Sequence, residues 1–286
     1  QTGYVRNYGF EAMLSYGHRW GDFGWDSSFT FSANKNEIVE LVKDYVHPET
    51  GKTYNVDKLE LKTDEGRGFG KAKFILKEGG TLGDLYTHAD LKRDINGNIL
   101  IDDSGNVTAI DNAGDIKLGS VLPKANLAWN NSFSYKGINV GFLLTARLGG
   151  IVYSATQAYL DLYGVSETSA AARDAGGVWV NGRSRVNPQS FYEVVASQSG
   201  LPTYYTYSAT NLRLQEAHIG YTVPRRWLGN VCDINVSLVG RNLWMIYCKA
   251  PFDPEAVATT NNYYQGIDYF MMPSTRNIGF NIKINF

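Results

Sequence analysis

The sequence is short of the features that mark the commonest protein classes. It has only two cysteines, Cys232 and Cys248, at the start and just past the end of one strand-like stretch. At about 3.3 Å per residue that places them tens of ångströms apart, whereas a disulfide needs Cα atoms within about 7 Å, so the two are not expected to pair. Neither sign of charge prevails, with 27 Lys and Arg against 28 Asp and Glu. A nucleic-acid binder needs a basic face, which this balance argues against. Long hydrophobic runs are missing as well. The run Val140 to Leu144 is typical in length, far below the roughly 20 apolar residues of a membrane-spanning helix. The negative mean hydropathy leaves the membrane open, because transmembrane barrels alternate apolar and polar residues and look soluble on average. No signal peptide is visible, and Gln1 opens directly into strand-like sequence, so the chain is expected to be a piece of a longer precursor.

Catalytic signatures are equally sparse. There is no phosphate-binding Gly-Lys-Ser/Thr loop and no His-Glu-x-x-His. Gly66-Arg67-Gly68-Phe69-Gly70 has its third glycine misplaced for a dinucleotide fingerprint, and no helix follows it. The four histidines, His18, His47, His88 and His218, are scattered, with no spacing that suggests a metal site. No Ser–His pairing stands out as a nucleophile and base.

What the sequence does hold is strand and turn. Proline is scarce at 8, but glycine numbers 30 and aromatics reach 13%, led by 19 tyrosines. The last segment is the clearest. Ile278, Phe280, Ile282, Ile284 and Phe286 alternate with Asn277, Gly279, Asn281, Lys283 and Asn285. That strict period of two makes one face apolar and the other polar. An antiparallel strand over a soluble core would do this, and so would a barrel strand with lipid on one side and a wet lumen on the other. The same pattern recurs in Leu127, Trp129, Phe133 and Tyr135, then flips parity after Lys136-Gly137 to Ile138, Val140, Phe142 and Leu144, as a hairpin requires. A second hairpin turns at Gly21-Asp22. Around Glu216 the apolar parity slips, which suggests a bulge.

Nine strands are expected, at 4–20, 23–34, 69–78, 84–92, 124–135, 138–150, 209–223, 231–246 and 275–286, with a weak pairing inside 93–123. Their connections alternate. Those at 21–22, 79–83, 136–137 and 224–230 are short, and those at 35–68, 93–123, 151–208 and 247–274 are long. Outer-membrane barrels have short periplasmic turns and long extracellular loops, whereas soluble sandwiches seldom carry several loops beyond about 15 residues. The fold expected is all-β, an antiparallel transmembrane barrel. Nine is odd and single-chain bacterial barrels have even counts, so this segment is not expected to close alone.

Asp94-Ile95-Asn96-Gly97-Asn98 and Asp102-Asp103-Ser104-Gly105-Asn106 have the composition of calcium loops but lack the glutamate at the twelfth position. Tandem turns are the favoured reading of 94–106, with calcium the lesser alternative and no other cofactor expected. The long loops 151–208 and 247–274 hold Arg173, Asp174, Trp179, Arg183, Tyr263, Tyr264, Gln265 and Asp268. These offer stacking faces and hydrogen bonds without a catalytic grouping, as a ligand-binding vestibule would.

Several motifs carry a family resemblance. Gly240-Arg241-Asn242-Leu243-Trp244, Ala250-Pro251-Phe252-Asp253-Pro254-Glu255 and the run from Tyr264 to Arg276 resemble the C-terminal signature of SusC-like (SusC/RagA-type) TonB-dependent outer-membrane transporters. Upstream, Gly149-Gly150, Thr156 to Asp161, Ala172-Arg173-Asp174 and Ala209 to Leu214 fit in the same order. The likeness is densest from Gly119 on, and 35–68 carries none of it. The resemblance implies that residues 1–286 are the C-terminal part of a 22-stranded barrel, with a plug domain and further strands N-terminal to it. It implies a bacterial outer-membrane nutrient importer rather than an enzyme, energised by a TonB complex acting through the plug and covered by a SusD-like surface lipoprotein. Oligosaccharides or peptides are the implied cargo, and a homodimer of transporter–lid pairs is an open assembly. Two other classes compete: a barrel enzyme such as a protease or lipase, and a soluble carbohydrate-binding sandwich.

Two geometric expectations follow from the parity. Glu11, Asp26, Arg147, Asp233, Arg241 and Lys283 should face the lumen. Asp233 and Lys283 should lie near one rim, within reach of an ion pair.

Overall fold

A computed structural model describes residues 3–61, 68–258 and 265–285. Seven long strands form one antiparallel sheet, each bonded to its neighbour in sequence order. They are β1 (Tyr4–Trp20), β2 (Phe23–Glu40), β3 (Ala125–Tyr135), β4 (Ile138–Leu148), β5 (Asn211–Val223), β6 (Asp233–Cys248) and β7 (Asn277–Asn285). The hairpin turns sit where the sequence places them. Trp20 pairs with Phe23 and Tyr135 with Ile138, so each turn holds two residues. Lys136 and Gly137 both have positive φ, 48° and 89°. That matches the right-handed twist of the flanking strands and explains glycine at the second position.

The register sorts the side chains into two faces. Leu14, Phe29, Trp129, Leu144, Leu214 and Trp244 form one continuous row across six strands. Three positions along, Glu11, Ser32, Asn126, Arg147 and Asn211 form a polar row on the other face. The six charged residues expected on one face share it: Arg241 pairs with Glu216 and Asn277, and Lys283 with Asn235. Asp233 pairs with Asn285, so Lys283 lies two positions along the neighbouring strand, as expected. No ion pair joins them among the described residues; Asp233 instead lies 3.8 Å from Arg225. Among the described residues nothing packs on the apolar face, Leu14 being 73% and Phe280 77% exposed. Several polar residues lie on it, and two near its middle, Asn131 and Ser27, are covered by tryptophans. The Trp25 indole donates to Asn131 Oδ1 at 3.1 Å and that of Trp129 to Ser27 Oγ at 3.0 Å.

The parity slip near Glu216 is a bulge. Gln215 has no partner on either side, since Leu143 pairs with Glu216 and Leu144 with Leu214. The opposing strand answers at Asn242, whose φ is 52°. Asparagine tolerates this left-handed conformation better than most residues, which accounts for Asn242 in the Gly-Arg-Asn-Leu-Trp run.

The protein's packed core lies outside this sheet. The three long connections, 41–124, 149–210 and 249–276, fold together at one end of it into a cap. Phe74 and Leu85 from the first, Tyr153 and Val195 from the second and Ile267 from the third share one buried cluster. Helices α1 (Ala155–Leu162), α2 (Glu167–Asp174) and α3 (Pro188–Val195) are short and individually capped, by Ser154, Ser166 and Asn187. Each cap side chain accepts from an otherwise orphaned first-turn N–H. They add helix to a chain read as all-β.

Two of the nine expected spanning strands belong to the cap. Ala72–Lys77 and Asp84–Thr87 pair within a separate five-stranded sheet with Lys58–Glu60, Gly68–Phe69 and Ile116–Ser120. All four residues of Asp84–Thr87 are buried, as are Phe74 and Ile75 next to one another. A strand covered on both faces cannot line a wall with lipid on one side. The wall therefore has seven strands, and one connection, 41–124, replaces 35–68, 79–83 and 93–123. Short and long connections still alternate. The weak pairing inside 93–123 is present as the bridges Arg93–Ile99 and Ile101–Val107 and a short pairing of Ala109–Ile110 with Asp90–Leu91. Both cysteines are free.

Candidate vestibule at the capped end of the wall

The cap is fastened to the polar face of the wall by a few buried polar contacts. The strongest centres on Arg213 of β5. Its guanidinium meets Asp253 through Nη2···Oδ1 at 2.7 Å and Nη1···Oδ2 at 3.2 Å, and Glu255 at 3.3 Å. Asn242 Oδ1 accepts from the same guanidinium at 3.3 Å, so the left-handed bulge helps to aim it. Asn211 Nδ2 donates to Glu255 at 3.2 Å. Burial works to raise the Asp253 pKa, but hydrogen bonds from Arg213, the Glu255 backbone and Ser274 hold it below the usual carboxylate value. At the other side, Asn36 Oδ1 accepts the Leu82 N–H at 2.7 Å, and Arg147 donates to the Val121 carbonyl at 2.8 Å.

Below these contacts the polar face lines a cavity of about 780 Å³ whose walls include Glu11, Ser32, Asn126, Thr145, Arg147 and Gln215. The volume lies in the range of ligand pockets, roughly 300–1,000 Å³.

The expected binding residues are spread through the cap. Arg173 and Asp174 end α2, where Arg173 donates to the Gly164 carbonyl at 2.9 Å and sits at the negative end of the helix dipole. Trp179 and Arg183 lie on the hairpin formed by Val178–Val180 and Ser184–Val186. Trp179 is exposed, with the Arg185 guanidinium 4.5 Å from its ring centroid. The hairpin turn is held in place by Asn181, which exchanges two hydrogen bonds with the Ile99 backbone, at 2.9 and 2.8 Å. Gln265 is half-buried next to the short strand Ile267–Asp268. Asp268 is buried, and its Oδ2 accepts from the Ser154 hydroxyl at 2.5 Å. Its carboxylate thus braces the N-terminus of α1. Tyr263 and Tyr264 lie outside the described residues. The structure joins the two loops through a parallel pairing of Tyr153–Ser154 with Ile267–Asp268.

The segment 94–106 is a pair of side-chain-closed turns. Asp94 Oδ1 accepts from the backbone of Asn96 and Asn98, and Asp102 Oδ1 from that of Ser104 and Asn106. These bonds and the Asn98 side chain, which counts most, lower the Asp94 pKa. The turns thus use the carboxylate oxygens that a cation would need. Of the scattered histidines, His88 comes nearest to a cluster, with Nε2 3.1 Å from Asp115 and 3.6 Å from Glu60. Lys58 and Lys73 already pair with those two carboxylates. Among the described residues no three of His, Cys, Asp and Glu are grouped to hold a metal.

Sequence reasoning missed the Arg213–Asp253–Glu255 cluster. The signal available was the acidic pair inside Ala-Pro-Phe-Asp-Pro-Glu, in a loop that must dock on something.

No family model matches the chain. Among curated proteins it is 25% identical over 289 residues to TonB-dependent receptor P3 of Formosa agariphila, covering 92% of this chain and 27% of that receptor. TonB-dependent receptor P26 of the same organism is also 25% identical, over 311 residues, covering 100% of this chain and 29% of its own length. The chain thus spans under a third of the curated relatives it matches. Among solved structures, the RagAB peptide importer in its closed-closed state matches with a TM-score of 0.66 at 17% identity, over 99% of this chain and 30% of that one. A second structure of the RagAB peptide transporter matches with a TM-score of 0.67 at 17% identity. The relatives are receptors and importers, not enzymes, and the resemblance to SusC-like TonB-dependent transporters read from the sequence is borne out along the whole chain and in its fold.

Proposed function

We propose that the chain forms part of the wall and the extracellular vestibule of a TonB-dependent nutrient importer in the bacterial outer membrane. The observation that carries this reading is the division of labour in the fold. A seven-stranded wall has an apolar face with nothing on it among the described residues and a polar face lining a cavity, and all three long connections form one cored cap at the same end. Lipid covers the apolar face and the cap stands outside the cell. Further strands from the rest of the receptor complete a 22-stranded barrel around a plug, through which TonB supplies energy. A SusD-like lipoprotein closes the mouth, and transporter–lid pairs assemble as dimers. The cargo is an oligosaccharide or a peptide.

In the cap, Arg173, Asp174, Trp179 and Arg183 are the exposed groups that meet cargo or lid, together with Tyr263, Tyr264 and Gln265. Asp268 braces the N-terminus of α1 in the same cap. The test is uptake. The full-length receptor, expressed with its lid lipoprotein in a strain lacking both, should import labelled oligosaccharides or peptides, and deleting TonB should abolish this. Uptake equal with and without the receptor would overturn the reading.

A further inference from the structure

Arg147 is the last polar-face residue of β4, just before the Gly149–Gly150 corner. Among the described residues its guanidinium is fixed at one point, by Nη2 to the Val121 carbonyl at 2.8 Å. Its Nε is buried and has no hydrogen-bond partner among the described residues. Glu255 lines the same cavity, but it is held by Arg213 at 3.3 Å and by Asn211 at 3.2 Å and makes no hydrogen bond to Arg147 among the described residues. Glu11 shares the row but lies three strands away, about 14 Å at normal strand spacing. A desolvated guanidinium without a carboxylate is costly, and its planar fork of donors fits a carboxylate in two places at once.

The surroundings are arranged for an incoming group. Asn126, Gln215, Ser32 and Thr145 line the same cavity. Gly150 has a φ of 82°, and a Cβ there would lie 3.2 Å from both the Arg147 Nη2 and the Val121 carbonyl, so glycine lets the backbone pack against this hydrogen bond. Arg213 on the same face holds two carboxylates although its Nε, like that of Arg147, has no partner among the described residues, so the difference between the two arginines is the carboxylate.

We infer that Arg147 is the anchor of a carboxylate-binding subsite in the lumenal wall, which selects cargo bearing a carboxylate over its neutral counterpart. The inference rests on the importer reading. Two sources can supply the group: the C-terminus of a peptide, or a uronic acid in an acidic oligosaccharide.

The experiment uses the full-length receptor in detergent and measures affinity for two matched pairs of probes. One pair is hexa-alanine as the free acid and as the C-terminal amide. The other is trigalacturonate and its methyl ester. In at least one pair the acid should bind about tenfold or more tightly than its neutral form, the range expected of a charge-assisted hydrogen-bonded pair. The pair that discriminates identifies the source. Arg147→Gln should bring that ratio to about one, and Arg147→Lys should restore part of it. Lys136→Gln, at the far turn, should leave it unchanged. Acid and ester or amide binding equally, or a ratio that survives in Arg147→Gln with the barrel folded, would overturn the subsite. Equal binding leaves import itself intact, so the two readings fail separately. Binding of neither member of either pair also overturns the subsite.

Discussion

Arg213 and Asp253 meet in a two-point ion pair, and their side chains are only 6% and 11% exposed. One lies on the wall and the other in the last long loop, so the pair ties cap to barrel where both are dry. Removing one partner leaves a buried charge unpaired, which costs roughly 3–5 kcal/mol. Arg213→Ala should therefore undock the 249–276 loop, seen as faster cleavage there by protease added to intact cells. Arg213→Met with Asp253→Leu, which removes both charges, should be the milder change. A double variant worse than the single one would show that the pair does not hold the loop.

The same pair sets a pH dependence. Asp253 has a folded pKa below its unfolded value of about 3.9, so its contribution is full above that value. It is lost as pH falls through the lower folded value. Loop docking should thus be constant between pH 7 and 5 and weaken below about 4. Asp253→Asn should be less stable at pH 7 and should lose the part of the acid response that belongs to this loop. Thermal unfolding of both proteins across that range reads the difference. Identical slopes in the two proteins would sink the assignment.

Lipid on the apolar face makes a sided prediction. Leu144 and Asn130 both lie within the wall, on opposite faces. Arginine at the bilayer midplane costs roughly 2–4 kcal/mol on the lipid face and little in a wet lumen. Leu144→Arg should lower the amount of folded full-length receptor recovered from outer membranes, and Asn130→Arg should not. The reverse result would mean the faces are assigned the wrong way round.

How much of this was legible follows from which force shaped each part. The wall strands were readable because one apolar and one polar face impose a period of two, down to the slip at Gln215. The strands at 72–77 and 84–87 were misplaced because a doubly covered strand has no such period. The consecutive Phe74, Ile75 and Leu76 were the available hint. Asp268 looked like a free ligand group, yet its partner Ser154 is 114 residues away. Arg213 and Asp253, 40 residues apart, join only once the loop folds back. No local pattern encodes contacts of that kind.

The exposed aromatics of the cap remain the sharpest test of a cargo role. Trp179 sits on a hairpin pinned to the first loop by Asn181, so its ring is held in position rather than swinging freely. One face of the ring is taken by Arg185. A rigid, half-open indole offers a stacking surface to a sugar ring or a peptide side chain at low entropic cost. Tyr263 and Tyr264 belong by sequence to the third long connection, 249–276. The competing role is contact with the lid lipoprotein, which the same aromatics would also serve. Alanine at all three positions separates the two when uptake, barrel insertion and lid binding are measured together. A cargo site predicts uptake reduced about tenfold or more with insertion and lid binding intact, since stacking contacts of this kind are each worth about 0.5–1.5 kcal/mol. Loss of lid binding in step with uptake would assign the aromatics to the lid. Unchanged uptake would remove them from function, and leave the Arg147 row as the place where this part of the receptor meets its cargo.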